Sequence, residues 1–328
     1  MSKTSAAKQI LEKALHGKGI TPEEANILMN PDFTDLNKLM ETANQLTLSV
    51  FSNKISMCAI YPAKIGLCSG DCAFCSQSAH HNCDISPVNV SDLNENEIIE
   101  NAKNLWKSGV SRYSLVTSGE YLTDTEFDHI CQIFTNLGKE TKIGLCASLG
   151  GLTAERANKL KSAGVSRYHH NIETSRSYFP KICSTHSYDD KIKTIGIARR
   201  TGMEVCSGGI IALGETAEQR VEMAFALKDI DIDCVPINIL NPIAGTRLEN
   251  QSPLSADEIL RTISVFRLIL PHKTLRFAGG REKALGSEEY RGYTAGINSM
   301  LVGNYLTTQG KAFEEEIHDL KTAGYSVK

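Results

Sequence analysis

The amino-acid sequence predicts an α/β fold, a (β/α)8 barrel of the TIM type with an N-terminal helical extension. Eight short runs rich in apolar and β-branched residues recur along the chain, at 54–60, 112–117, 142–147, 167–172, 204–212, 233–240, 274–278 and 297–302. Helical patterns fill the intervals: in 95–109, Ile98, Ile99, Ala102, Leu105 and Trp106 share one face. A short repeat, KSGVSRY at 107–113 and KSAGVSRY at 161–168, marks two equivalent joints where a helix ends and a strand begins. Eight strands alternating with helices imply a parallel sheet closed on itself.

The elements follow in order. Residues 1–50 read as helices that precede the first strand, 51–310 as the barrel, and 311–328 as a closing tail helix; no low-complexity linker divides the chain, which reads as a single domain. In 153–164, Thr153 is the expected N-cap and Gly164 the stop, and AEQRVEMAFALKDI forms a further helix. The 35 basic and 38 acidic residues are mixed along the chain, which leaves no basic face for nucleic acid. No apolar window of about 18 residues and no apolar leader segment is present, so a cytoplasmic protein without a membrane partner is expected. Ten cysteines in such a chain are not a disulfide framework; metal ligation or burial must account for them.

In such a barrel, chemistry sits at the carboxyl ends of the strands. The stretch GLCSGDCAFCSQSAHH, residues 66–81, follows the first strand and spaces Cys68, Cys72 and Cys75 as C-x3-C-x2-C. Gly70 and Asp71 read as loop rather than core. Structural zinc takes four ligands, and His80 or His81 would complete a set, although the first gap of three residues does not suit it. Three thiolates on one loop also suit a [4Fe-4S] cube whose fourth iron stays open, and the missing ligand is then the functional feature. Gly208, Gly209, Gly214 and the pair Thr307-Thr308 suit a small anionic ligand in the barrel mouth, while Gly208-Gly209 reads equally well as close strand packing.

With an aromatic residue before the last cysteine, this loop resembles that of the radical S-adenosylmethionine superfamily. SRYHHNIETS, THSYDDK, VCSGGIIALGET, VPINILNPIAGT, LRFAGGRE and GINSMLVGNYLTT narrow the resemblance to the biotin synthase family over roughly residues 50–310. The resemblance implies sulfur insertion into dethiobiotin, with a [4Fe-4S] cluster, S-adenosylmethionine and an auxiliary Fe–S cluster as sulfur donor. It also implies a homodimer and an electron donor such as flavodoxin or ferredoxin. By the same resemblance, Cys68, Cys72 and Cys75 hold the first cluster and Phe74 lies by the adenine. Asn171 and Glu173 bond the ribose, Glu173 standing where the family often has Asp. Lys191 meets the methionyl carboxylate where Arg is common, a point charge in place of a fork. Asn238 faces the ureido ring of the substrate, His169 stands nearby where Asn is usual, and Thr307 and Thr308 receive the substrate carboxylate. Two other readings compete: another radical enzyme on the same barrel, of the hydrogenase-maturation or methylornithine-forming kind, and a non-catalytic Fe–S carrier.

The chain departs from the family pattern at the auxiliary cluster, commonly a [2Fe-2S] held by three cysteines and an arginine. Cys146, Cys206 and Arg276 match that set, but Ser114 stands at the position of the remaining cysteine. Cys58 and Cys234 appear on strands where the pattern has small polar residues. Since alternate strands fill each layer of such a barrel, Cys58, Cys146, Cys206 and Arg276 are expected on one level, and Cys234 on the neighbouring level with Ser114 and Ser299. The expectation is a four-iron auxiliary cluster ligated by Cys58, Cys146, Cys206 and Cys234 beside Arg276. Cys83, Cys131 and Cys183 read as loop or helix residues, with Cys83 a reserve ligand.

Overall fold

The computed structural model describes residues 3–66, 68–306 and 310–327. Among the described residues there are ten strands, with helices between all but β5 and β6: β1 Lys54–Lys64, β2 Arg112–Thr117, β3 Gly144–Ser148, β4 Arg167–His169, β5 Glu204–Cys206, β6 Gly209–Ile211, β7 Cys234–Ile239, β8 Thr274–Phe277, β9 Ser299–Leu301 and β10 Ser326–Val327. All pairings between them are parallel, and Ser56↔Ser299 joins β1 to β9, closing the sheet. β5 and β6 both pair with β7 and form one interrupted stave, so the barrel has eight. The sequence expectation of one run over 204–212 gives way at Ser207-Gly208. There Pro236 of β7 has no N–H to give, and a Cβ on Gly208 would stand 2.0 Å from Pro236 O. Gly209 is equally crowded, with Glu173 O at 2.4 Å from such a Cβ. The two glycines serve close strand packing.

Most of the longer helices begin where a side chain satisfies their free N–H groups. Capping boxes pair Thr21 with Glu24, Thr123 with Glu126, Ser187 with Asp190 and Thr216 with Gln219. Thr153 caps the helix Ala154–Ser162 by accepting from Arg156 N. In Glu95–Lys107 the apolar face is narrower than its periodicity suggests: Ile98 and Ala102 are buried, but Trp106 is 43% exposed.

Three helices, α1 Lys3–Leu15, α2 Pro22–Met29 and α3 Leu36–Phe51, precede β1. α1 packs on α2 and α3, and these two cover the helix Ala256–Ile269, in which every residue from Ile259 to Ile269 is buried. Arg261 of that helix donates to Leu28 O and Thr34 O at 3.0 and 2.9 Å, tying the extension to the barrel through otherwise unpaired carbonyls. The tail forms the helix Phe313–Thr322 and then adds β10 to the outer start of β1. Among the described residues no helix is long and apolar enough to cross a membrane.

Candidate active site

The cysteine loop leaves β1 and is held by its own backbone. Cys68 N donates to Gln77 O and Ala79 N to Cys68 O, at 2.9 and 2.8 Å, while Cys75 N closes a turn on Cys72 O at 3.0 Å. Ser78 Oγ donates to Gly70 O at 2.6 Å. These bonds fix the loop through its backbone and Ser78, while Cys68 Sγ accepts from Gly70 N at 3.3 Å and Cys72 Sγ lies 3.9 Å from Cys183 Sγ. The candidate zinc ligands turn elsewhere: His80 Nε2 bonds Ser69 O at 3.1 Å and His81 Nδ1 bonds Cys75 O at 2.8 Å. Burial pushes the Cys75 thiol up to about 11; iron binding requires the thiolate and would displace that proton.

Inside the barrel, period-two alternation along the strands puts every second residue on the inner wall. Ile60, Val116, Ser148, His169, Asn238 and Ala278 line one cavity of about 410 Å³ at the carboxyl ends of the strands. Phe74 and Cys75 of the loop form part of its wall, as do Asn171 and Glu173 just beyond β4. Asn171 Oδ1 accepts from Gly208 N at 3.1 Å, and its amide nitrogen lies 3.4 Å from Glu173 Oε2. Glu173 takes a left-handed backbone conformation, φ 70°, which turns its carboxylate into the cavity mouth. Asn238 is fixed at both ends of its amide, donating to Gly209 O at 3.2 Å and accepting from Gly279 N at 3.1 Å. Lys191 stands on the helix Tyr188–Arg200, close enough for its charge to act on Cys72 and His169. Burial lowers the His169 pKa to about 4, so its imidazole is neutral near pH 7.

Deeper in the same cavity lie Cys58, Cys146, Cys206 and Arg276. Arg276 Nη1 donates to Cys206 Sγ at 3.5 Å, and its Nε to Ser299 Oγ at 3.1 Å. Cys234 is one inward step below Pro236, beneath the cavity wall, and is fully buried. Cys206 and Cys234 are direct register partners across β5 and β7, as Cys146 and Ser114 are across β3 and β2 and Arg276 and Ser299 across β8 and β9, and the thiols of Cys206 and Cys234 are in contact. The contact with Cys234 holds the Cys206 thiol below its ordinary range, and burial holds Cys234 above it. Ser114 is the register partner of Cys146, and its buried hydroxyl has no hydrogen-bond partner among the described residues.

Residues 64–227 match the Radical SAM superfamily, and residues 236–326 match the Biotin and Thiamin Synthesis associated domain. The chain is 47% identical over 311 residues to the biotin synthase of Acetivibrio thermocellus, an overlap of 95% of this chain and 96% of that one. With the biotin synthase of Clostridium acetobutylicum it shares 46% over 312 residues, 94% of each chain. The chain belongs to the biotin synthase family. It is thus a radical S-adenosylmethionine enzyme of sulfur insertion, whose family uses a [4Fe-4S] cluster and S-adenosylmethionine. Among solved structures it is similar to methylornithine synthase, with a TM-score of 0.83 at 19% identity over 97% of each chain. It is also similar to the [FeFe]-hydrogenase maturase HydG, with 0.84 at 20% over 99% of this chain and 76% of that one. At such identities the likeness is one of fold alone.

The donor set fits the cofactors of a biotin synthase. Three soft thiols rise from one preformed loop, and the polar atoms Thr117 Oγ1 and Asn241 Oδ1 on the cavity wall are buried without a hydrogen-bond partner among the described residues. Thr307 and Thr308 lie outside the described residues. The sequence reading missed several groups. Arg167 lines the cavity, its guanidinium oriented by Glu204 at 2.9 Å, and Arg112 Nη1 lies 3.9 Å from Cys146 Sγ. Their signal was the SRY repeat itself, which puts an arginine at the same joint of β2 and β4. Cys183 is not an ordinary loop thiol: it is buried, 3.9 Å from Cys72 Sγ, with His186 Nδ1 at 3.3 Å. Cys83, the expected reserve ligand, instead donates to Ala244 O at 3.3 Å.

Proposed function

We propose that this chain inserts sulfur into dethiobiotin, using a four-iron auxiliary cluster as sulfur donor. The observation that carries the reading is a single cavity with Phe74 and Cys75 of the cluster loop on its wall and the thiols of Cys58, Cys146 and Cys206 in its depth. A substrate held there is within one enclosed space of both iron–sulfur sites. When bound, the first cluster and S-adenosylmethionine supply a 5′-deoxyadenosyl radical for hydrogen abstraction. Cys58, Cys146, Cys206 and Cys234, beside Arg276, would hold the auxiliary cluster, which would supply the sulfur.

The protein's part is placement and charge. Asn171 and Glu173 offer a donor and a carboxylate to ribose hydroxyls, and Lys191 a cation to the methionyl carboxylate. Asn238, locked by Gly209 O and Gly279 N, presents its amide to the ureido ring, and neutral His169 adds a donor or acceptor without a charge. Arg276 and Arg167 offset the negative charge of thiolates and cluster in a dry interior. Four thiols, Cys58, Cys146, Cys206 and Cys234, match the complement of a four-iron cube, whereas the Ser114 hydroxyl is a poor ligand for iron–sulfide chemistry. The reading includes a flavodoxin- or ferredoxin-like electron donor and a homodimer, both supported by family resemblance. It also includes a cytoplasmic location, which the ten free cysteines support.

Anaerobic protein, reconstituted and supplied with reductant, S-adenosylmethionine and dethiobiotin, should yield biotin and 5′-deoxyadenosine and hold about eight irons. Cys58→Ser and Cys234→Ser should lower iron content and biotin while sparing cofactor cleavage. A [2Fe-2S] doublet in the Mössbauer spectrum, or full biotin yield from both variants, overturns the four-iron assignment; cofactor cleavage with no thiolated product overturns the substrate.

A further inference from the structure

Beside the cluster loop, a second group of ligands converges. Cys72 Sγ, Cys183 Sγ and a His186 ring nitrogen all lie within 4.8 Å of one another. The two sulfurs are 3.9 Å apart, and His186 Nδ1 and Nε2 stand 3.3 and 3.6 Å from Cys183 Sγ. Tetrahedral geometry with metal–sulfur bonds of ~2.3 Å and metal–nitrogen bonds of ~2.0 Å requires sulfur–sulfur separations of ~3.8 Å and sulfur–nitrogen separations of ~3.5 Å. The Cys72–Cys183 and Cys183–His186 separations therefore suit ligands of one ion, and His186 lies within 4.8 Å of Cys72 Sγ. They are too short for thiolates on two different corners of a four-iron cube.

The two loops that carry these ligands are bolted together. Ala73 N donates to Ile182 O at 2.8 Å, and Arg247 Nη2 donates to both Asp71 O and Ile182 O, at 2.6 and 3.0 Å. The Asp71 carboxylate accepts from Ser184 N at 2.9 Å, Ser184 Oγ at 2.6 Å, and Thr185 N and Oγ1 at 3.2 and 3.1 Å. Asp71 Oδ1 also accepts from Cys183 Sγ at 3.3 Å, a bond that metal binding would give up; its other bonds hold the scaffold, and an ion at the site would keep one position for water. The His186 ring is seated edge-on against Phe179, with centroids 5.8 Å apart.

We propose that the cluster-free protein binds one thiophilic divalent ion, ferrous iron or zinc, through Cys72, Cys183 and His186, releasing the two thiol protons. Because Cys72 is also a ligand of the four-iron cluster, which rests on the radical-enzyme reading above, the single ion and the cluster exclude each other. Ferrous iron at this site is a holding position before assembly. Zinc at the same site blocks assembly.

Cobalt(II), titrated anaerobically into the reduced full-length protein before reconstitution, is the probe. The difference between wild type and Cys183→Ser should show one cobalt per chain with thiolate-to-cobalt charge transfer and tetrahedral d–d bands, which cancels metal held by the barrel thiols. Cys183→Ser and His186→Ala should each weaken this binding at least tenfold, while Cys68→Ala, which cannot assemble the triad cluster, should keep it. Equimolar zinc should slow iron–sulfide reconstitution of wild type at least tenfold and leave Cys183→Ser unaffected. No difference signal, or cobalt bands that Cys183→Ser keeps in full and Cys68→Ala loses, overturns the proposal; the latter puts the ion on the triad. Circular dichroism of each variant establishes that it is folded. Failure of the radical-enzyme reading appears separately, as wild type that binds cobalt but never cleaves S-adenosylmethionine.

Discussion

Arg276 Nη1 donates to Cys206 Sγ at 3.5 Å, inside a barrel where four cysteine thiols surround this one guanidinium closely enough for their charges to act on it. Removal of a buried charge from its partners is costly, but a buried cation without anions is costly too. Arg276→Met should therefore leave the cluster-free protein as stable as wild type and weaken the loaded one. The expected readout is auxiliary iron lost to a chelator at least about tenfold faster, roughly 1.4 kcal/mol, with triad iron unchanged. Equal loss from both sites would remove Arg276 from the auxiliary site.

Glu173 holds its carboxylate at the cavity mouth on a left-handed backbone. Glu173→Gln keeps the shape and deletes the charge. A hydrogen bond to a charged group contributes about 1.5–3 kcal/mol, so S-adenosylmethionine affinity, measured by calorimetry on reconstituted protein, should fall on the order of tenfold or more. Unchanged affinity would mean that the carboxylate does not touch the cofactor.

Gly208 faces Pro236 O so closely that an added Cβ would sit 2.0 Å away, against backbone that cannot rotate aside. Gly208→Ala should cost several kcal/mol, roughly 3–5, and the unfolding temperature should drop accordingly. Gly17→Ala is the control: its φ is 72° with open space around it, so its cost should be only about 1 kcal/mol. Similar melting shifts for the two would show that the barrel relaxes around Gly208.

At the tail, Arg281 is enclosed by Glu282, Glu289 and Glu316, with Lys311 on Glu289 at 3.0 Å. With Asp319 on Lys311 at 3.1 Å, four acids face two cations. Burial raises the Glu316 pKa to about 7 despite Arg281, the ordinary value being 4.5. The folded protein thus holds this proton more tightly than the unfolded chain. Stability is full below pH ~4.5 and declines as pH rises through ~7, by about 1–3 kcal/mol. Glu316→Gln should flatten that slope in denaturant melts at pH 5 and 7.5; an unchanged slope would assign it to other groups. Arg281 also donates to the cavity-lining Tyr305 hydroxyl at 2.7 Å, so the same cluster steadies one wall of the site.

The sequence by itself determined the barrel, because strand and helix periods are local patterns that each segment carries alone. It also determined the cysteine loop, since three ligands within eight residues need no long-range folding to meet. Ser114, Cys58 and Cys234 could be read as departures from a family pattern, and the structure puts Ser114 beside Cys146 and Cys234 against Cys206. The break in the fifth stave was not legible. Register depends on where the fifth stave breaks, which Gly208 and Pro236 decide together from different strands. Cys183 and His186 were likewise out of reach of the sequence: they follow Cys72 by more than a hundred residues, and only the clamp of Asp71 and Arg247 brings the two loops together. Trp106 shows the converse limit. Helical period placed it on an apolar face, but the barrel covers only the part of that face nearest Ile98 and Ala102.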